Sequence, residues 1–325
     1  MTGDAAPSVD VVLLGGPTAS GKSGVALALA AALRGTIINA DSMQLYRELA
    51  ILTARPAAPE MALAPHRLYG FQPADRPLSA AAWRRLALAE IDAAAATGRV
   101  PIVVGGTGLY LAALLRGLSD VPAIPAEVRT AARARLDAIG HAAFHAELAG
   151  LDPALGDRLA PGDTQRMLRG WEVATATGRP LSAWQAAGRA APPAGLRFHP
   201  VVTDPPRAGL YAASDRRFDA MMAAGGLEEV RALGRLGLDP ELPLMKALGV
   251  PELLAHLAGQ TSLEAARALA RQRTRNYAKR QVTWFRNQLP EAPRLDPLGP
   301  GGPEATAQLS ERLKQEIIRN IQNTD

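Results

Sequence analysis

No cysteine occurs among the 325 residues. Disulfides and thiolate–zinc sites are therefore excluded, and a reducing compartment is permitted. No apolar run approaches the length of a membrane span. Met1 to Asp10 carries neither a basic region nor a long apolar stretch, so a cytoplasmic protein with no membrane partner is expected. Lysine is scarce: Lys22, Lys246, Lys279 and Lys314 are the only four among 36 basic residues. The abundance of arginine and alanine reads as compositional bias. Histidine is also sparse. His141 and His145 stand four apart on an expected helix, the spacing of a metal pair, but no third ligand motif accompanies them, and they read as surface or packing residues. The net charge of +5 by itself says little about a polyanionic partner. Hydrophobic residues make up 48%, ample for a core, and the length suits two domains or one domain with a large insertion.

The most informative stretch is Gly16-Pro17-Thr18-Ala19-Ser20-Gly21-Lys22-Ser23, which fits G-x-x-x-x-G-K-[ST]. An apolar run, Val11 to Leu14, precedes it and an alanine- and leucine-rich segment, Val25 to Leu33, follows. That strand–loop–helix context gives the motif its meaning. The two glycines let the backbone wrap an anion with its N–H groups pointing inward. The helix starting near Gly21 adds its positive end. Lys22 supplies a point charge for a phosphate, and Ser23 offers a hydroxyl to Mg2+. The spacing does not say which phosphorylated molecule is held.

Strand and helix alternate through the first part of the chain. Val9–Leu14, Thr36–Ala40 and Arg99–Val104 read as strands, and Gly21–Arg34 and Ser79–Thr97 as helices, the latter capped by Ser79. Alternation of this kind predicts an α/β fold, a P-loop NTPase-like parallel sheet flanked by helices. From about Leu118 no strand is expected until Phe198–Thr203. Helices are expected over Pro125–Ile139, Ala142–Ala149, Thr164–Thr177 and Leu181–Gly188, forming a helical insertion. The expected organisation is a discontinuous core of residues 1–117 and 197–290, an insertion of 118–196, and a linker with a C-terminal helix over 291–325. No helix offers an obvious dimer seam, so a monomer is expected.

Ala265 to Arg286 holds Arg267, Arg271, Arg273, Arg275, Lys279, Arg280 and Arg286 with no Asp or Glu. Arg267, Arg271, Arg275 and Lys279 fall four apart, one stripe on a helix. Tyr277, Trp284 and Phe285 lie among them. Like charges at this spacing repel, so the absence of local carboxylates favours contact with a polyanion, and interleaved aromatics suit unstacked bases.

Four segments together resemble the tRNA dimethylallyltransferase family, the tRNA isopentenyltransferases: Gly16 to Ser23; Asp41-Ser42-Met43-Gln44-Leu45-Tyr46; Gly105-Gly106-Thr107-Gly108-Leu109-Tyr110; and Lys279-Arg280-Gln281-Val282-Thr283-Trp284-Phe285-Arg286. They occur in the family's order over about residues 9 to 288. The resemblance implies transfer of a dimethylallyl group from dimethylallyl diphosphate to the exocyclic amine of the adenosine 3′-adjacent to the anticodon. The loop Gly16, Pro17, Thr18, Ala19, Ser20, Gly21, Lys22 and Ser23 would then hold the leaving diphosphate, with Arg217 and a Mg2+ on Ser23. Lys22, Asp41 and Thr107 would be catalytic, with Asp41 as the candidate base. The resemblance further implies tRNA contact by Asp41, Ser42, Met43, Gln44 and Thr107. It implies the same for Arg129, for Gln165, Arg166, Met167, Leu168 and Arg169 on the insertion, and for Lys279, Arg280, Gln281, Trp284 and Arg286. The insertion would clamp the anticodon stem-loop. The chain departs from the family pattern at Ser23, where many members have Thr, at Leu52, where Gly is expected, and at Val250, where Tyr is common. Two rival readings remain at this stage: a P-loop small-molecule kinase using ATP, which leaves the basic segment unexplained, and an RNA-binding ATPase, which leaves Asp41 to Gln44 without a role.

Overall fold

The computed structural model describes residues 9–188 and 194–322. Most of the Met1–Asp10 segment and the last three residues of the expected C-terminal helix lie outside them. The chain forms two compact units, one of residues 1–115 and 193–325, the other of residues 116–192.

The first unit is built on a single parallel sheet. Its strands and helices run β1 (Val9–Gly15), α1 (Lys22–Leu33), β2 (Gly35–Asn39), α2 (Ala58–Leu63), β3 (His66–Arg67), α3 (Ala80–Ala96), β4 (Val100–Gly105) and α4 (Gly108–Arg116). After the second unit, made of α5 (Ala126–Leu151), α6 (Pro153–Gly156), α7 (Thr164–Thr177) and α8 (Leu181–Ala186), the first resumes. It continues with β5 (Leu196–Thr203), α9 (Arg207–Ala223), α10 (Gly226–Gly234), α11 (Val250–Leu257), α12 (Leu263–Gln288), β6 (Arg294–Leu295) and α13 (Gly302–Gln322). The strand order is β3-β2-β4-β1-β5-β6, every pairing parallel.

β1 is central, and both its faces are covered, which is why it reads as a continuous apolar run. Alternate residues serve opposite faces. Val11 and Leu13 join a core with Trp83, Tyr110 and Phe285, while Val12 and Leu14 pack with Val25, Leu29, Leu309 and Leu313. The segment from residue 291 onward is part of this second face. β6 extends the sheet beside β5, and α13 lies along α1. Asp10 and Glu316 pin α13 at the foot of the sheet by holding opposite nitrogens of buried His199, at 2.7 Å on Nε2 and 3.2 Å on Nδ1.

Ser79 caps α3 by accepting from the Ala82 N–H at 3.1 Å, as expected for a serine at that place. In the helical unit, the two helices expected on either side of Gly140 meet there at a kink within α5, Gly140 itself being non-helical at φ 75°. That unit has its own core of Leu136, Phe144, Leu148, Leu155, Met167 and Leu168. His141 Nε2 meets Thr164 Oγ1 at 3.0 Å, and His145 Nε2 donates to the Gly156 and Leu159 carbonyls.

Candidate active site

Every loop that carries an expected catalytic residue leaves the sheet at its carboxyl edge, where open α/β sheets place ligands. The phosphate loop follows β1, Asp41 follows β2, and the Gly105–Gly108 turn follows β4. The phosphate loop is held in shape from below and from both ends. Ser20 Oγ meets Thr203 Oγ1 at 2.6 Å, both groups buried, tying the loop to the end of β5. Gly21, at φ 84°, makes the left-handed turn that starts α1. Lys22 Nζ donates to the Pro17 carbonyl at 2.6 Å, and Arg217 from α9 donates to the Thr18 hydroxyl. The Thr18 N–H donates to Gln281 Oε1 at 2.8 Å.

Lys22 is half-buried as a residue, yet its amine is enclosed by protein. Burial pulls its pKa from 10.5 down to about 7; Asp41 opposes that shift and Arg217 adds to it. Burial likewise lowers the pKa of the Arg217 guanidinium, with Asp41 opposing. Asp41 also reaches Tyr69, Tyr110 and Tyr277. Burial chiefly holds these phenols protonated, and the Asp41 charge pushes each further in the same direction. The charge of Asp41 is thus felt by Lys22, Arg217 and the three phenols. Asp41 Oδ1 accepts from the Met43 N–H at 3.0 Å, and its own N–H donates to Asn39 Oδ1 at 2.8 Å. Thr107 Oγ1 accepts from the Ser42 N–H at 2.9 Å and donates to Ser42 Oγ at 3.2 Å. Asp41, Ser42 and Thr107 therefore form one cluster joining the loops after β2 and β4. Gln44 spends its amide N–H groups on the Thr53 and Ala54 carbonyls, both at 2.9 Å.

A cleft of about 450 Å³ is walled by Ala19 to Gly24, Arg55, Glu60, Arg217 and Leu298. The exposed Ser23 hydroxyl lies in its wall. A larger cavity, about 870 Å³, lies between α1 and α13 behind the loop. Ala28, Ala31, Ala32 and Ala307 line much of it, and it brings together none of the cationic groups that surround Asp41.

Several expectations for α12 are revised by its surroundings. Arg275 makes two bonds of 2.8 Å to Asp215, and Arg267 and Arg271 both bond Asp219. The stripe with no local carboxylate is thus answered by carboxylates of α9, about fifty residues away in sequence. Arg273 pairs with buried Glu252 of α11. Lys279 and Arg280 remain exposed, Arg280 lying 5.6 Å from the Tyr277 ring centre, and exposed Arg286 stands 3.4 Å from Asp204. Trp284 is half-buried against Gly108 and Phe285. Gln281, expected at tRNA, is buried, with both ends of its amide bonded inside the protein. The helical unit brings a second correction. Met167 and Leu168 are core side chains there, because positions three and four after Thr164 turn inward on α7. Gln165 and Arg166 are exposed. Arg129, Arg133 and Arg169 all act on the half-buried Glu172 of α7, opposing the upward push that burial gives its pKa.

These features define an α/β protein with a P-loop-type loop and a carboxylate, Asp41, at the carboxyl edge of one parallel sheet. The IPP transferase family model matches residues 44–288. A tRNA dimethylallyltransferase of Rhodospirillum centenum is 63% identical over 287 residues, 88% of this chain and 91% of that one. Another, of Paramagnetospirillum magneticum, is 52% identical over 97% of this chain and 95% of its own length. Among solved structures, a tRNA isopentenylpyrophosphate transferase of Staphylococcus epidermidis superposes with a TM-score of 0.66 at 28% identity, covering 96% of this chain and 99% of that one. A eukaryotic dimethylallyltransferase crystallised acting on tRNA gives 0.73 at 25% identity, over 89% of this chain and 74% of that one. The chain belongs to the IPP transferase family of tRNA dimethylallyltransferases.

Proposed function

We propose that the protein transfers the dimethylallyl group of dimethylallyl diphosphate to the exocyclic amine of the adenosine 3′-adjacent to the tRNA anticodon, giving isopentenyladenosine and free diphosphate. One observation carries the reading. Lys22 of the phosphate loop and Arg217 of α9, which bonds Thr18 in that loop, both feel the charge of one carboxylate, Asp41.

The C–O bond to the diphosphate breaks as the N–C bond forms, so positive charge grows on the allylic carbon and negative charge on the leaving group. Lys22, Arg217 and the loop N–H groups stabilise the second. An adenine amine is a weak nucleophile, and Asp41 accepts the proton it sheds. Thr107 holds the Ser42 backbone, and with it the Asp41 loop, in register with the Gly105–Gly108 turn. The phenols of Tyr69, Tyr110 and Tyr277 stay neutral beside the carboxylate and add no competing charge. A hydroxyl together with diphosphate oxygens and water is a hard donor set that suits Mg2+, and Ser23 would hold it; the ion would neutralise charge on the diphosphate. The target base has to leave the anticodon stack to reach the site. Lys279, Arg280 and Arg286 on one unit, and Arg129, Gln165, Arg166 and Arg169 on the other, supply its phosphate contacts. The protein acts as a cytoplasmic monomer.

Incubation with dimethylallyl diphosphate, Mg2+ and unmodified tRNA is expected to add one five-carbon unit to one adenosine per tRNA, read by nucleoside mass spectrometry. Asp41→Asn should lower turnover by about 10²–10⁴-fold while the protein still binds the diphosphate. ATP-dependent phosphorylation with unmodified nucleosides would contradict the function, and near-normal turnover of the variant would remove Asp41 as the base.

A further inference from the structure

Gln281 is 6% exposed and sits on the buried stripe of α12, in sequence after Ala266, Ala270, Thr274 and Ala278. Its two amide ends reach two different loops. Oε1 accepts from the Thr18 N–H of the phosphate loop at 2.8 Å, and Nε2 donates to the Gly106 carbonyl at 2.8 Å. A Cβ on residue 106 would collide with that Nε2 and push the amide out of its bond, so the approach uses the glycine. On one side the bridge continues through Thr18, whose hydroxyl receives the Arg217 guanidinium. On the other, Gly106 is followed by Thr107, which bonds the Ser42 N–H next to Asp41.

We infer that Gln281 is a positioning residue that fixes the donor's phosphate loop at a set distance from the acceptor-side turn that carries Thr107. The inference rests on the transferase reading for what each loop binds. A single planar amide does what no pair of separate bonds would do. It satisfies a part-buried donor on one loop and a buried acceptor on the other, and it couples their placement. A nucleophile and a leaving group must lie in line across the allylic carbon, and a shift of about 1 Å between them costs on the order of 10²-fold in rate. Because Gln281 is buried and both ends of its amide are bonded inside the protein, it reads no nucleotide itself.

Gln281→Met keeps the volume and removes both bonds. Gln281→Glu keeps an acceptor for the Thr18 N–H and loses the donor to Gly106. Three quantities are measured for each variant and for the unaltered protein: turnover at saturating tRNA and donor, tRNA affinity by fluorescence anisotropy, and inorganic diphosphate affinity by calorimetry. The expected result is a fall in saturated turnover of roughly 10- to 100-fold in both variants, with tRNA Kd within about twofold of the unaltered protein. The diphosphate Kd of Gln281→Met is expected to rise several-fold, because the loop is no longer pinned. A tRNA Kd weakened about tenfold with saturated turnover preserved would make Gln281 a tRNA contact and overturn the inference. So would turnover and diphosphate affinity that both stay at the unaltered values. If Gln281→Met does not fold, Gln281→Glu decides by the same turnover and tRNA criteria. If the unaltered protein transfers no dimethylallyl group, the function fails, and the diphosphate affinities alone decide whether Gln281 positions the loop.

Discussion

Lys22 is a lysine that burial holds at a pKa of about 7, far below the 10.5 of a free side chain. In the empty site at pH 8 most of it is therefore neutral. A bound diphosphate favours the ammonium form, so binding at that pH should draw a proton from solvent, and donor affinity should weaken as the pH rises from 7 to 9. Calorimetry in two buffers of different ionisation enthalpy is expected to show uptake approaching one proton at pH 8. Lys22→Arg stays charged throughout this range and should bind with no such uptake; uptake that persists in the variant would assign the proton elsewhere. Lys22 and Ser23 were legible in the sequence because motif spacing names them, and Asp41 because it ends an expected strand in a segment that resembles the family. Tyr69, Tyr110 and Tyr277 were not, since a lone tyrosine carries no spacing signal and only folding brings the three within the field of Asp41. Gln281 stood in a recognised motif, but its two partners lie on loops 263 and 175 residues away, and no local reading reaches them.

At the scale of elements, α12 is the instructive case. Its positive stripe was visible as a pattern, while the answering Asp215 and Asp219 lie on α9, so a count of local charges could not find them. The helix consequently divides its labour along its length. The first turns dock on α9 through ion pairs, the buried Gln281 and Phe285 engage the sheet-edge loops, and exposed Lys279 and Arg280 face solvent. Two substitutions separate these roles. Lys279→Ala with Arg280→Ala should weaken tRNA binding and flatten its dependence on salt, by up to about 2 in the log–log slope. Arg275→Ala should leave that slope alone. It should cost on the order of 1 kcal/mol of stability, lowering Tm by roughly 2–4 °C. An unchanged slope in the first pair, or a changed slope in the second, would reverse the assignment. The long strands and helices matched the sequence reading closely because each carries an apolar run or stripe long enough to mark it. β3 and β6, two residues each, carry none, and they are strands only because β2 and β5 offer them an edge.

At the scale of the whole molecule, one parallel sheet gathers at its carboxyl edge an anion cradle, a carboxylate and the turn that spaces them. A second unit carries its own core and its own arginines. The G-x-x-x-x-G-K-[ST] loop is shared with enzymes that move phosphoryl groups, and the sequence of the loop alone does not distinguish them. The difference lies in what accompanies it. Here Asp41 follows a strand of the same sheet at the same edge, and the family is one in which dimethylallyl transfer is the named activity. The central claim is that the loop holds a leaving group and passes no phosphorus on. A donor labelled with carbon-14 in the dimethylallyl group and phosphorus-32 in the diphosphate tests it in a single turnover with unmodified tRNA. Carbon label is expected to enter tRNA and phosphorus label to leave as intact diphosphate, one for one, with no ATP present. Phosphorus label on the RNA, or carbon transfer that requires ATP, would contradict it.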